Sequence, residues 1–388
     1  MPRWGRVVVL SIGAVICLFG ALAILPALSP AMGAQVADAL RAVLGPQPVG
    51  NMESVSFRMQ DAINQWIAGR NGGKLQIAVN QKSLQFRVDL ANAAVTTTGQ
   101  ATRLSQKVIA RVVNNAVTAS PHIGWQAYGP LVNGEPVMAQ TVVKVDAART
   151  YAGIALVRID LSRLQLHMMP GFLEPSHTAE VQQQFPNLGL MPASDQSRLV
   201  AAFNGGFKAI NGHYGMMVNG VTLLPLQPGL ATLAIYRDGH VQIGAWGQDI
   251  LPSPDIVAIR QNCPLIIQNG QLNPEVAVDN RLIWGQTVDN HDVTWRTAVG
   301  ISRDGRYLIY AVGNASTVQT LAQALQEAGA YNAMQLDINR HYAHFVTYQP
   351  TGNAQTPLMA VQFLSQMESD PTIYLVAHSR DFFYLTTP

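Results

Sequence analysis

The sequence predicts an α+β protein: mixed β-sheets with β-hairpins and a few packed helices, preceded by an N-terminal transmembrane helix. Three observations carry this. From about residue 121, short apolar runs alternate with glycine turns and show no regular strand–helix alternation. Asp238-Gly239 and Asp304-Gly305 each interrupt an alternating apolar stretch, the mark of a tight hairpin turn. An unbroken apolar run over residues 7–28 follows Arg3 and Arg6. Such a run meets the about 20 residues that a membrane span needs, and the arginines favour the cytoplasmic side.

Composition narrows the function classes. The chain has 388 residues, 48% of them hydrophobic and only 12% charged, so it can bury a large core and is not a solvated, disordered polymer. Net charge is +2 with no dense basic run interleaved with aromatics, which argues against nucleic acid as a partner. Of the two cysteines, Cys17 lies in the apolar run, leaving Cys263 without an internal disulfide partner. Cys263 reads as a small buried thiol.

In chain order, residues 1–34 read as a signal anchor in the inner membrane. The alternative is a cleaved signal peptide, with Ala31-Met32-Gly33-Ala34 as a small-residue cleavage site. Either places the rest of the chain outside the cytoplasm, in the periplasm or beyond. Residues 35–120 read as a linker and a small α/β appendage. They comprise a short helix and tether over 35–50, a helix over 57–67, strands over 74–79 and 83–88, and an amphipathic helix over 101–116. Residues 121–388 form the main domain. Strands are predicted over 151–159, 164–168 and 199–203, and hairpins over 233–244 and 297–312. A helix follows, with Ser316 as N-cap, Gln319 completing a capping box, and Gly329 ending it. Strands over 332–336, 342–348, 372–377 and 382–385 close the chain.

The candidate chemistry lies at strand ends. The run Ala202-Phe203-Asn204-Gly205-Gly206-Phe207 places an amide beside two residues without Cβ, where another group can approach closely. Asp337 ends the apolar strand Ala333-Met334-Gln335-Leu336, so its carboxylate must be hydrogen-bonded or face a cleft. Arg296 opens another apolar strand and offers a planar fork to an anionic oxygen, or to a nearby carboxylate. Asn269-Gly270 is either a turn or a further amide contact. Asn339, His341 and His344 follow Asp337. No cofactor is implied. A divalent metal on Asp337, His341 and His344 is weakly suggested, because residues three apart on a strand face opposite sides. Asp238 and Asp304 read as turn residues, and Asp289 and Asp292 as a charged, solvent-facing loop.

In order and spacing, these segments resemble the phosphodiester glycosidase family over roughly residues 120–388. Asn204–Phe207 matches its Asn-Gly-Gly-Phe element, and Pro264–Gly270 loosely matches a later Asn-Gly element. Arg296–Gly300 with Asp304-Gly305 matches its Arg-Thr-Ala strand and turn. Thr320–Leu325 and Leu336-Asp337 match its helix and Leu-Asp ending. Three departures stand out. The family's glycine-rich loop after Leu-Asp is here Ile338-Asn339-Arg340-His341. Its Val-Asp-Gly element is Val312-Gly313-Asn314, and Gln323 replaces a helix acid.

The resemblance implies hydrolysis of a sugar–phosphate diester at the anomeric carbon, on an envelope glycan or exopolysaccharide. Arg296 would hold phosphate, Asp337 would act as base or nucleophile, and His341 would donate a proton. Asn204, Gly205, Gly206, Asn269 and Asn339 would bind substrate. The departures support a second class, a non-catalytic glycan-binding or scaffold module on the same fold.

Overall fold

The computed structural model describes residues 30–80, 123–176, 178–278, 283–285, 292–353, 355 and 357–388. The expected anchor over 7–28, the strand over 83–88 and the helix over 101–116 lie outside the described residues. Among the described residues, no helix is long and apolar enough to cross a membrane.

Two helices come first, α1 (Pro30–Leu44) and α2 (Pro46–Arg70). Gly45, at φ 85°, separates them, and Pro46 opens the second, so the expected tether is a helical corner. Asp61 fastens α2 to the rest of the protein by accepting from Arg149 Nε at 2.9 Å and the Tyr151 hydroxyl at 2.6 Å. Residues 74–79 do not form the expected strand. Val79 makes only a single bridge, to Leu364.

Three sheets follow, and every ladder between their strands is antiparallel. The first sheet includes β1 (Gln126–Val132), β2 (Glu135–Val143) and β3 (Ile154–Asp160). These run on to β14 (Tyr307–Ser316), β13 (Thr294–Ser302) and β15 (Ala330–Gln335). The short β11 (Ile267–Gln268) and β12 (Gln271–Leu272) complete it. The second sheet is ordered β7 (Val221–Leu224), β6 (Met216–Val218), β10 (Ile256–Gln261), β8 (Ala231–Tyr236), β9 (Val241–Ala245). The third is ordered β17 (Leu358–Gln362), β16 (Phe345–Pro350), β5 (Leu199–Asn204), β18 (Phe382–Thr386), β4 (Gln165–Met169).

Both Asp-Gly hairpins form as the sequence predicts, joining β8 to β9 and β13 to β14. The helix after β14 is α5 (Val318–Glu327), with two short helices, α3 (Ala179–Gln184) and α4 (Ala193–Gln196), earlier in the chain. The expected apolar face is buried at Val318, Leu321, Ala322 and Leu325, against Leu156, Ile309 and Ala333 of the first sheet. The N-cap is Thr317 rather than Ser316. Thr317 accepts from the Thr320 backbone, and Thr320 answers the Thr317 N–H. Ser316 still belongs to the ladder, with its carbonyl taken by Arg296 Nε. Residues 372–377 form a single 3-10 turn (Ile373–Leu375) instead of a strand, because Asp370 caps Thr372 and fixes the bend.

One apolar core joins all three sheets, through residues such as Val299, Tyr310, Leu233, Ile243, Phe345 and Phe383. At its centre, the Phe203 ring stacks on Phe345 at 5.8 Å and Phe383 at 5.3 Å, and meets Tyr310 at 5.3 Å. Burying such rings is among the strongest stabilising contributions a core can make. It also locks the ends of β5, β16 and β18 together, and the polar residues just beyond those ends have a fixed position as a result.

Candidate active site

The residues following these strands surround a narrow cavity. Asn204, Gly205 and Gly206 come from the end of β5, and Asp337 follows β15. His341, Tyr342 and His344 precede β16. Ser369, Ile373, Tyr374, His378, Arg380 and Asp381 come from the segment leading into β18. Non-atom space there, including the mouth, is about 270 Å³.

Asn204 knits the floor together. Its Nδ2 donates to Thr297 Oγ1 at 2.9 Å and to the Gly205 carbonyl at 3.0 Å. Its Oδ1 accepts from the Tyr310 hydroxyl at 3.0 Å and the His344 N–H at 3.2 Å. The Thr297 hydroxyl in turn donates to the Asp337 carbonyl at 2.7 Å. A buried amide with all its groups matched is a rigid positioning device. Asn204 lines the cavity, but its side chain serves the scaffold.

The two glycines leave room for the first of two ion pairs. A Cβ on Gly205 would lie 1.9 Å from Asp381 Oδ2, and one on Gly206 would lie 2.9 Å from Arg260 Cζ. Neither has a positive φ, so close approach is the reason for both. Asp381 pairs with Arg260 Nε at 2.8 Å and accepts from the Gly206 N–H at 3.1 Å. Arg260 is otherwise spent on the carbonyls of Phe207 and Gln261, at 2.6 and 2.7 Å.

The second pair is Arg380 with Asp337, at 2.5 Å. Arg380 Nη2 also donates to the Gly206 carbonyl at 2.7 Å, and the guanidinium sits 4.2 Å from the Tyr342 ring centroid. Burial alone would lower the Arg380 pKa, but Asp337 and Asp381 hold it above its ordinary value. The cation therefore stays charged. Asp337 Oδ1 accepts from the Asn339 N–H at 2.7 Å, and Asn339 Oδ1 accepts from the His341 N–H at 2.9 Å. These two Asx-type turns stand where the family pattern has a glycine-rich loop.

Three histidines line the cavity. Burial, with Arg380 nearby, lowers the pKa of His341. Burial also lowers that of His378. Both are thus mainly neutral at pH 7, and His341 suits proton acceptance better than the donation expected of it. His378 Nδ1 lies 2.8 Å from the Arg380 carbonyl, which can only accept, and 3.3 Å from the Arg380 N–H. The shorter contact favours the proton on Nδ1, leaving Nε2 to take one. Burial pushes His344 down to about 3.

Of the residues expected from sequence, Asp337, His341, Asn204, Gly205 and Gly206 meet at this cavity. Arg296 does not. It is fully buried, donating to Gln335 Oε1 at 3.0 Å and to the carbonyls of Trp284, Ser316 and Asp292. Alternation along β13 explains this: Thr297 faces Asn204 and Asp337, so Arg296 faces the opposite side. Asn269 is an exposed turn residue at φ 53°, between β11 and β12, away from the cavity. Asn339 shapes the loop through the two turns and is not among the cavity-lining residues. Among the described residues, no group of three or more His, Cys, Asp or Glu could hold a metal ion, so Asp337, His341 and His344 do not form one. Asp292 is buried rather than solvent-facing, and its carboxylate takes the Ser54 hydroxyl of α2.

Sequence reasoning missed Arg380, Asp381, His378 and Arg260. Arg380-Asp381 immediately precedes the apolar strand β18, the same strand-end signal that singled out Asp337.

The phosphodiester glycosidase family model matches residues 197–337. No curated protein matches the chain. Among solved structures, the catalytic domain of zebrafish N-acetylglucosamine-1-phosphodiester alpha-N-acetylglucosaminidase, auto-inhibited by its pro-peptide, is 16% identical. That match covers 70% of this chain and 89% of the zebrafish one, at a TM-score of 0.40. A hypothetical protein from Synechocystis is 11% identical over 69% of this chain and 64% of its own, at a TM-score of 0.36. The matched segment contains Asn204, Thr297 and Asp337, whereas Arg380 and the three histidines lie beyond it. Residues 197–337 match the phosphodiester glycosidase family by sequence.

Proposed function

We propose that this protein is a membrane-anchored hydrolase that cleaves sugar–phosphate diesters at the anomeric carbon, outside the cytoplasm, on an envelope glycan or exopolysaccharide. The observation that carries this reading is the Arg380–Asp337 pair, one cation and one carboxylate in a single buried cavity. The family match over residues 197–337 supports the reaction class. The apolar run over 7–28 behind Arg3 and Arg6 supports the location.

The chemistry follows from the charges. Arg380 takes an oxygen of the phosphodiester. Asp337 faces the positive charge that develops at the anomeric carbon as the C–O bond breaks. A water attacks that carbon and passes its proton to a neutral histidine, for which His378 Nε2 is suited. The phosphate monoester leaves as an anion on Arg380 and needs little acid help. In this reading residues 1–34 are the anchor, 35–120 the linker and small α/β appendage, and 121–388 the catalytic domain.

Asp337→Asn tests the assignment. It keeps the shape and the hydrogen bond to Asn339 while removing the charge. Turnover of a sugar 1-phosphodiester should fall by about 100-fold or more. Retained turnover would remove Asp337 from the mechanism. Glycan binding by the unaltered protein without product release would favour the second reading, a glycan-binding module.

A further inference from the structure

His344 is 1% exposed, lines the cavity, and has an Nδ1 without a hydrogen-bond partner. Leaving such an atom unmatched costs about 1–3 kcal/mol, so it needs an explanation. The neighbours settle its protonation. Gln362 Nε2 donates to the carbonyls of Met367 and Ser369, which fixes which end of that amide is nitrogen. The same Nε2 lies 3.3 Å from His344 Nε2. The amide has two hydrogens, one for Ser369 and one shared between the Met367 carbonyl and His344 Nε2, both at 3.3 Å. Since an amide nitrogen only donates, this sharing has His344 Nε2 accept and puts the ring proton on Nδ1. His344 thus carries a buried N–H donor with nothing to receive it, on a ring that lines the cavity.

We propose that the His344 Nδ1–H is a substrate-binding donor that takes a phosphoryl oxygen, alongside Arg380. This rests on the phosphodiester reading and specifies which group holds the anion. An anionic acceptor is favoured over a sugar hydroxyl for two reasons. The cavity carboxylates are already occupied, Asp337 by Arg380 and Asp381 by Arg260. Arg380 stays charged in the same cavity. Burial, then His378 and His341, push His344 to about 3, so the ring remains a neutral donor throughout the physiological range. A neutral donor holds the phosphate without binding the departing dianion so tightly that release is blocked. His344 lies beyond the segment matched by the family model.

The test is nitrogen–proton correlation NMR on the full chain, labelled with ¹⁵N at histidine, titrated with dimethyl phosphate, inorganic phosphate and methyl glucoside. The expected result is an Nδ1–H tautomer for His344 whose proton moves downfield with either phosphate and stays put with the neutral glucoside. His344→Leu should weaken dimethyl phosphate binding about tenfold or more, and His344→Asn, which returns an N–H near the Nδ1 position, should restore most of it. An Nε2–H tautomer would overturn the proposal, as would an Nδ1–H that ignores both phosphates or responds equally to the glucoside. A response to dimethyl phosphate in a protein that hydrolyses no sugar phosphodiester would sink the reaction and leave the donor standing.

Discussion

Two arginines illustrate how a residue's surroundings decide its use. Arg296 has its donors committed to carbonyls and the Gln335 amide, and it faces away from the cavity. Arg380 is also buried, yet its charge is shared with Asp337 at the cavity wall. The same substitution should separate them. Arg380→Lys keeps a charge but loses the planar fork, so kcat on a sugar phosphodiester should drop by about 100-fold in the folded fraction, whatever the loss of the Gly206 carbonyl contact costs in melting temperature. Arg296→Lys leaves buried carbonyls unmatched, so it should destabilise by about 2 kcal/mol and leave kcat of the folded fraction near wild type. Steady-state kinetics and thermal melts on both variants check this, and the reverse pattern would contradict it. Sequence pointed to Arg296 because an arginine opening an apolar strand is visible in one dimension. Which face it takes depends on the register with Thr297 and Asp337, which is not.

Elements were more legible than side-chain directions. Both Asp-Gly hairpins form, and the apolar face of α5 is the one its spacing predicts. The errors fall where polar side chains compete locally. Ser316 and Thr317 are both capable N-caps, and the ladder from β13 holds Ser316 in the strand. Asp370 and Pro371 convert an apolar stretch into a turn. Thr317→Ala should therefore cost about 1 kcal/mol, where Ser316→Ala, by the capping argument, should cost less. Denaturant melts of both variants would decide it, and equal effects would contradict the observed cap. The loop after Asp337 teaches a related lesson. Glycines in the family pattern are replaced by Asn339, which caps His341 and is itself anchored by Asp337, so a different sequence reaches an ordered turn.

At the scale of the molecule, three antiparallel sheets among the described residues share one core, and the site lies where strand ends from two of them meet. Asn204 and Asp337 were legible from sequence because a polar residue ending an apolar strand needs a partner or a cleft. Their actual partners, Thr297, Tyr310 and Arg380, come from distant segments, 93 residues away in the case of Asn204 and Thr297. No local pattern encodes that pairing. The central claim is attack at the anomeric carbon, with Arg380 retaining the phosphate. The most direct measurement is turnover of a sugar 1-phosphodiester in ¹⁸O-labelled water, with both products analysed by mass spectrometry. The account predicts the label on the sugar C1 hydroxyl and an unlabelled phosphate monoester. Label in the phosphate would mean attack at phosphorus and would contradict it.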